Sequence, residues 1–151
     1  MNVAEANLMM CRCALLIIIA SSVGCAWVLE QPSSSLAMLH PAMEWVVALS
    51  RVVPQIIKIY QVDTFLGQFK GKQMKPLRLT GNRQWLHCLN RSRPDPHSFG
   101  PNHTVTRHMA GNKLSVRGSP DLKATQAYTD NFGSAVCDAY IAFDQGVVVV
   151  R

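Results

Sequence analysis

Apolar residues occur along this chain in runs whose lengths and breakers predict alternating helices and strands. The first run, centred on "CALLIIIASSVGCA", predicts a buried helix from about Ala4 to Ser22 that turns at Gly24. "WVLE" then reads as a short core strand ending at Glu30, stopped by Gln31-Pro32, with Ser33 to Ser35 able to cap a helix after it. His40-Pro41 marks a second helix start, since proline is tolerated in a first turn, and Pro54 closes that helix. "QIIKIYQVD" is rich in β-branched residues and predicts a strand near 56–62. "MKPLRLTG" predicts another near 75–80, with Pro76 at an edge or a strand start and Gly81 as its end. Asn82 can cap a short helix over "NRQWLHCL". Residues 90–112, dense in Pro, Gly, His and Asn, read as one long loop. "KLSVR" predicts a short strand before Gly118. A helix over 121–141 comes last, with Ser119 or Asp121 as its cap and Gly133 in its interior.

The order helix, strand, helix, strand, strand, helix is that of half a doubly wound α/β domain. With 151 residues, 48% of them hydrophobic and 16% charged, the chain is one domain able to bury a core and is not of a disordered type. Residues 1–25 form the apolar segment, 26–141 the domain body, and 142–151 a tail.

Charge changes this picture locally. Fifteen Lys and Arg against nine Asp and Glu give a formal charge of +6. Lys70, Lys72, Lys75, Arg78, Arg83, Arg91 and Arg93 succeed one another without an intervening acid, a pattern suited to phosphates or to a solvated hairpin. Cys11, Cys13, Cys25, Cys88 and Cys137 form no disulfide spacing and read as reduced, mostly buried thiols of an intracellular chain. The N-terminal run admits a second reading, a signal or anchor segment cleaved after Ala26, in which case the Asn90 and Asn102 sequons could carry glycan. The buried helix is preferred, because cleavage would remove the element leading into the Glu30 strand. A membrane partner is accordingly not expected.

Several of these motifs together resemble a known family. Glu30-Gln31-Pro32 at a strand end, Phe65-Leu66-Gly67 in a basic hairpin with Lys72, Lys75 and Arg78, and "KATQAYTDNFGSAVCDAY" with Tyr128, Phe132 and Gly133 resemble the C-terminal half of cytosine-C5 DNA methyltransferase-like domains. The run Glu-Gln-Pro-Ser-Ser-Ser-Leu with its later His-Pro is similar to a divergent set of such proteins. The resemblance spans about Ala26 to Tyr140. It implies an incomplete Rossmann-like methyltransferase sheet with flanking helices. Glu30 would then hold the pairing edge of a flipped cytosine, and Gln31, Ser34, Lys70, Lys72, Lys75, Arg78 and Arg83 would contact nucleic acid.

Within these residues the glycine-rich cofactor turn and a Pro-Cys nucleophile are missing, and covalent activation of the ring needs a thiolate. The chain alone is therefore expected to be non-catalytic and to hold no cofactor. S-adenosylmethionine would enter only if a partner completed the domain. Missing strands would also leave a sheet edge for a complementing chain or a second copy to cover.

Other constellations carry less. His103 and His108, with Cys88 and His97 upstream, fall within a zinc-like spacing in a stretch where histidine is simply frequent, and no metal is expected. No Gly-x-Ser-x-Gly elbow or Walker loop is present. Trp27, Trp45 and Trp85 read as core anchors, and Tyr60 and Phe69 as packing residues beside the basic hairpin.

Overall fold

The computed structural model describes residues 2–71, 73–99, 105–111, 113–118 and 128–146. The chain runs through helix α1 (Val3–Ser22), strand β1 (Val28–Pro32), helix α2 (Pro41–Val52) and the hairpin β2 (Tyr60–Phe65) and β3 (Pro76–Gly81). A second hairpin, β4 (Val105–Ala110) and β5 (Lys113–Gly118), precedes helix α3 (Asp130–Asp144). Short 3₁₀ turns occupy Ala37–Leu39, Leu66–Phe69, Gln84–Leu89 and Pro96–Ser98.

The mixed α/β class is observed, with a three-stranded sheet in the order β1-β3-β2. Both of its pairings are antiparallel, where half of a doubly wound domain would have parallel neighbours. The reason lies in the connections. Only residues 66–75 join β2 to β3, and a parallel neighbour needs a crossover of a dozen or more residues, so this pair closes as a hairpin. The crossover β1-α2-β2 does leave β1 and β2 running the same way, and β3 fills the gap between them as in a split β-α-β unit.

Register sets the two faces of this sheet. Glu30, Leu79 and Val62 align in one row, and Gln31, Arg78 and Asp63 in the next. Pairing through Pro32 places Glu30 in the middle of β1 rather than at its end, because a proline is tolerated on an edge strand. Val62, Leu77 and Leu79 pack with Leu66, Phe69, Trp85, Leu86, Leu89, Phe132 and Ala139 into the main core. A second cluster joins Ala14 and Ile17 of α1 to Met43 and Val46 of α2 and to Ile57, with Trp27, Leu29 and Ile59 packed against it.

Of the helix starts read from the sequence, His40-Pro41 is observed as expected. The His40 ring nitrogen accepts from the Ala42 N–H, and Pro41 occupies the first turn of α2. Asn82 does not cap the 84–89 turn. Its amide instead accepts from the Trp27 N–H (3.0 Å) and donates to the Cys25 carbonyl (2.8 Å), tying the entry of β1 to the end of β3. A buried amide is worth more in two such bonds than at a cap that water can replace. Helix α3 is capped by Thr129 and continues to Asp144, into the expected tail. Ser119 and Asp121 lie outside the described residues.

Four further expectations are corrected. The 90–112 stretch is not a single loop: Val105–Ala110 pairs with β5 after a turn at Gly111, and the surrounding Pro and His residues obscured that strand. Among the described residues α1 packs mainly on α2, and Ala14, Ile17 and Ser21 are buried while Leu8, Leu15, Leu16 and Ile19 are exposed. It is long and apolar enough to cross a membrane, a property that core helices and signal sequences share. Trp45 is 58% exposed on the outer side of α2, because Met43 and Val46 supply the inward side. Cys11, Cys25 and Cys137 are exposed on α1, on the turn before β1 and on α3, and no disulfide forms.

Candidate nucleic-acid interface

The loop between β2 and β3 is held by its own backbone. The Leu66 N–H donates to the Lys75 carbonyl (3.0 Å) and the Gly71 N–H to the Leu66 carbonyl (3.2 Å). Lys70 closes the 66–69 turn in the left-handed region, with φ of 58°, and Lys75 also has positive φ at 21°. Non-glycine residues hold such angles only where surrounding structure imposes them. Lys70 projects as an exposed side chain, while Lys75 is half-buried with its ammonium 4.8 Å from the centre of the Tyr128 ring.

A second basic segment lies against this loop. The Gln68 side chain donates to the Ser92 carbonyl (3.1 Å), and the Arg91 guanidinium sits 5.7 Å from the centre of the Phe69 ring. The Phe99 ring covers Gly67 so closely that a β-carbon there would collide with it. The 91–99 segment is thereby brought to the β2-β3 loop. Lys75 from one stretch and Arg91 from the other flank a ring cluster in which the centres of Phe69 and Phe132 are 5.2 Å apart. Lys70 and Arg93, each close in sequence to one of these cations, are exposed.

Not every cation read from the sequence belongs to this surface. Arg78 forms a two-pronged pair with Asp63, Nε to Oδ1 at 2.8 Å and Nη2 to Oδ2 at 3.1 Å. The Arg78 hydrogen bond holds the Asp63 carboxyl below the usual carboxylate range. Arg83 donates to the Gly24 carbonyl at the far end of β3. Gln31 is only 5% exposed, while Ser34 is exposed and follows Ser33, whose N–H donates to the Pro76 carbonyl (3.3 Å) at the start of β3. Lys72 lies outside the described residues. Tyr60 meets His87 edge to face and Phe69 is buried, so both act in packing. Among the described residues, no group of three or more His, Cys, Asp or Glu could hold a metal ion, and His103 lies outside them.

Glu30 is engaged within the protein. Its Oε2 accepts from the Tyr128 hydroxyl, and its Oε1 is buried without a partner among the described residues. Ser33 and Ser34 do not satisfy it. Tyr128 stacks on Phe132, and Thr129 donates to the Phe69 carbonyl (2.7 Å), so the start of α3 is fastened both to β1 and to the basic loop. Glu30 thereby tethers β1 to the start of α3 through Tyr128. Burial, and then the Glu30 hydrogen bond, push the Tyr128 phenol above its ordinary pKa.

A raised phenol pKa stabilises the fold while the proton is present, fully below the unfolded value of about 10, and the contribution is lost as pH rises above it. Tyr128→Phe should therefore cost about 1 kcal/mol at neutral pH, the phenol being partly exposed. It should also lessen the alkaline loss of stability. Urea titrations of both proteins at neutral and strongly alkaline pH check this; equal stability at neutral pH would refute the tether.

Comparison with known proteins returns no match: no family model, no curated protein and no solved structure is significantly similar to this chain. The functional reading therefore rests on the residues. Sequence reasoning found the basic stretch and Glu30 but missed the return of the 91–99 segment, for which Phe99, a lone large aromatic in a polar run, was the available signal.

Proposed function

We propose that this chain is a non-catalytic module that binds the phosphate backbone of nucleic acid through Lys70, Lys75, Arg91 and Arg93. The observation that carries the reading is the docking of the 91–99 segment on the β2-β3 loop, which gathers cations from two stretches around the same ring cluster. Lys and Arg contacts to phosphate supply affinity without requiring a base-reading groove. The resemblance to cytosine-C5 methyltransferase-like proteins adds the idea of a remnant that keeps a DNA-facing hairpin from a Rossmann-like sheet. The bond of Glu30 to Tyr128 supports a binding role over a reacting one. Methyl transfer would need S-adenosylmethionine and a thiolate from another chain, and no step is assigned to these residues.

Fluorescence anisotropy with a labelled duplex, repeated across salt concentrations, tests the proposal. The association constant is expected to fall linearly with salt on logarithmic axes. Lys70→Glu combined with Arg93→Glu, both at exposed sites, should reduce that slope by about two phosphate contacts and weaken low-salt binding at least ~10-fold. Absence of binding at low salt, or a slope untouched by the double substitution, would overturn it.

A further inference from the structure

We infer that the opposite end of the sheet carries a separate site for a phosphate group. A pocket of about 150 Å³ opens between the end of α1, the connection from α2 to β2 and the turn after β3. Lys58 and Arg83 line it together with Gln55, Ser21 and Asn82, and no carboxylate among the described residues does. The pocket has a built floor. Ser21 and Asn82 are 5% and 7% exposed, and Asn82 is locked by its bonds to the Cys25 carbonyl and the Trp27 N–H. The Ser21 hydroxyl oxygen accepts from the Trp27 indole N–H (2.9 Å), while its own proton has no acceptor among the described residues.

The donors there are available to a ligand. The Ile19, Ala20 and Ser21 carbonyls near the end of α1 each accept a backbone N–H, from Val23, Cys25 and Gly24. The Arg83 bond to the Gly24 carbonyl fixes the guanidinium, and its other N–H groups have no acceptor among the described residues. Lys58 is exposed and has no ion-pair partner among the described residues. Two cations with a hydroxyl and an amide around one small polar pocket suit a tetrahedral oxyanion, which accepts hydrogen bonds from several directions and carries about two charges at neutral pH. The six residues of β3 separate this pocket from the β2-β3 loop by roughly 20 Å. The site is therefore independent of the nucleic-acid surface proposed above, and the two readings stand or fall separately.

A titration of ¹⁵N-labelled full chain with inorganic phosphate, at constant ionic strength set with chloride, reads the site directly. Saturable amide shifts are expected around residues 21–24, 55–58 and 82–83 and not around 66–71. Lys58→Gln, at an exposed position, should weaken binding about tenfold. Lys70→Glu with Arg93→Glu should leave it unchanged. Shifts that stay linear and spread evenly over the chain, or an affinity untouched by Lys58→Gln, would overturn the inference. In the Lys70→Glu, Arg93→Glu background, an oligonucleotide with a 5′-phosphate that binds more tightly than inorganic phosphate would make a nucleic-acid end the source of the group. Weaker or equal binding would make it a free phosphate or small phosphate ester.

Discussion

Leu79→Ala is expected to lower the unfolding free energy by about 2–5 kcal/mol, out of a total of roughly 5–15 for a domain of this kind. Leu79 is 1% exposed at the centre of the middle strand, with Glu30 and Val62 beside it in register. Its side chain belongs to the cluster that joins the sheet to the 84–89 turn and to α3 through Trp85, Leu86 and Phe132. Truncation removes apolar contact on both sides and leaves a void that the flanking strands, paired along their length, cannot close. In a chain of 151 residues the loss should appear as a melting temperature lower by on the order of 10 °C, and as an earlier urea midpoint with unchanged slope. A loss under about 1 kcal/mol would mean that the sheet and α3 do not share one packed core.

Gly81→Ala should cost about 3 kcal/mol through the opposite fault, the insertion of an atom where none fits. A β-carbon at Gly81 would stand 2.5 Å from the Trp27 carbonyl oxygen and 2.7 Å from Cδ1 of Leu86. Leu86 can turn away at some loss of packing. The Trp27 carbonyl has less freedom, because Asn82 holds the Trp27 N–H and the Cys25 carbonyl on either side of Ala26. Relief would have to come from moving the entry of β1 and breaking that clamp. Combined with Leu86→Ala, the loss should fall short of the sum of the single substitutions, since one of the two clashes disappears with the leucine. The four proteins compared by urea denaturation decide it. A Gly81→Ala protein within about 0.5 kcal/mol of the parent would show that β1 does not approach the end of β3 this closely.

Much of the local structure was legible in the residues. The apolar run of α1, the His40-Pro41 start and Pro54 end of α2, and the strands around residues 60 and 80 each carry their own signal within a few positions. What was not legible depended on partners distant in sequence. Glu30 has the composition of a strand-end acid, yet β3 continues the ladder past it and Tyr128, far along the chain, takes up its oxygen. Asn82 has the composition of a cap but is used as a clamp. β4 was hidden because a polar, Pro- and His-rich neighbourhood lowers the apparent strand signal of an alternating segment that pairing makes favourable.

Charge divides in the same way at the candidate site. The sequence by itself determined that the stretch from Lys70 to Arg93 is basic and without an acid, since that is a property of composition alone. Only the tertiary structure decided which of those cations lie at the β2-β3 loop. Arg78 lies opposite Asp63 because two strands share a register, and Arg83 reaches the Gly24 carbonyl because the end of β3 meets the end of α1. Lys70 and Arg93 are left exposed, beside a segment that Gln68, Phe69 and Gly67 hold in place. Short-range propensities and hydrophobic periods act over a few residues and can be read from the chain. Ion pairs and close packing depend on which distant groups the fold brings within a few ångströms, and no local pattern encodes that choice.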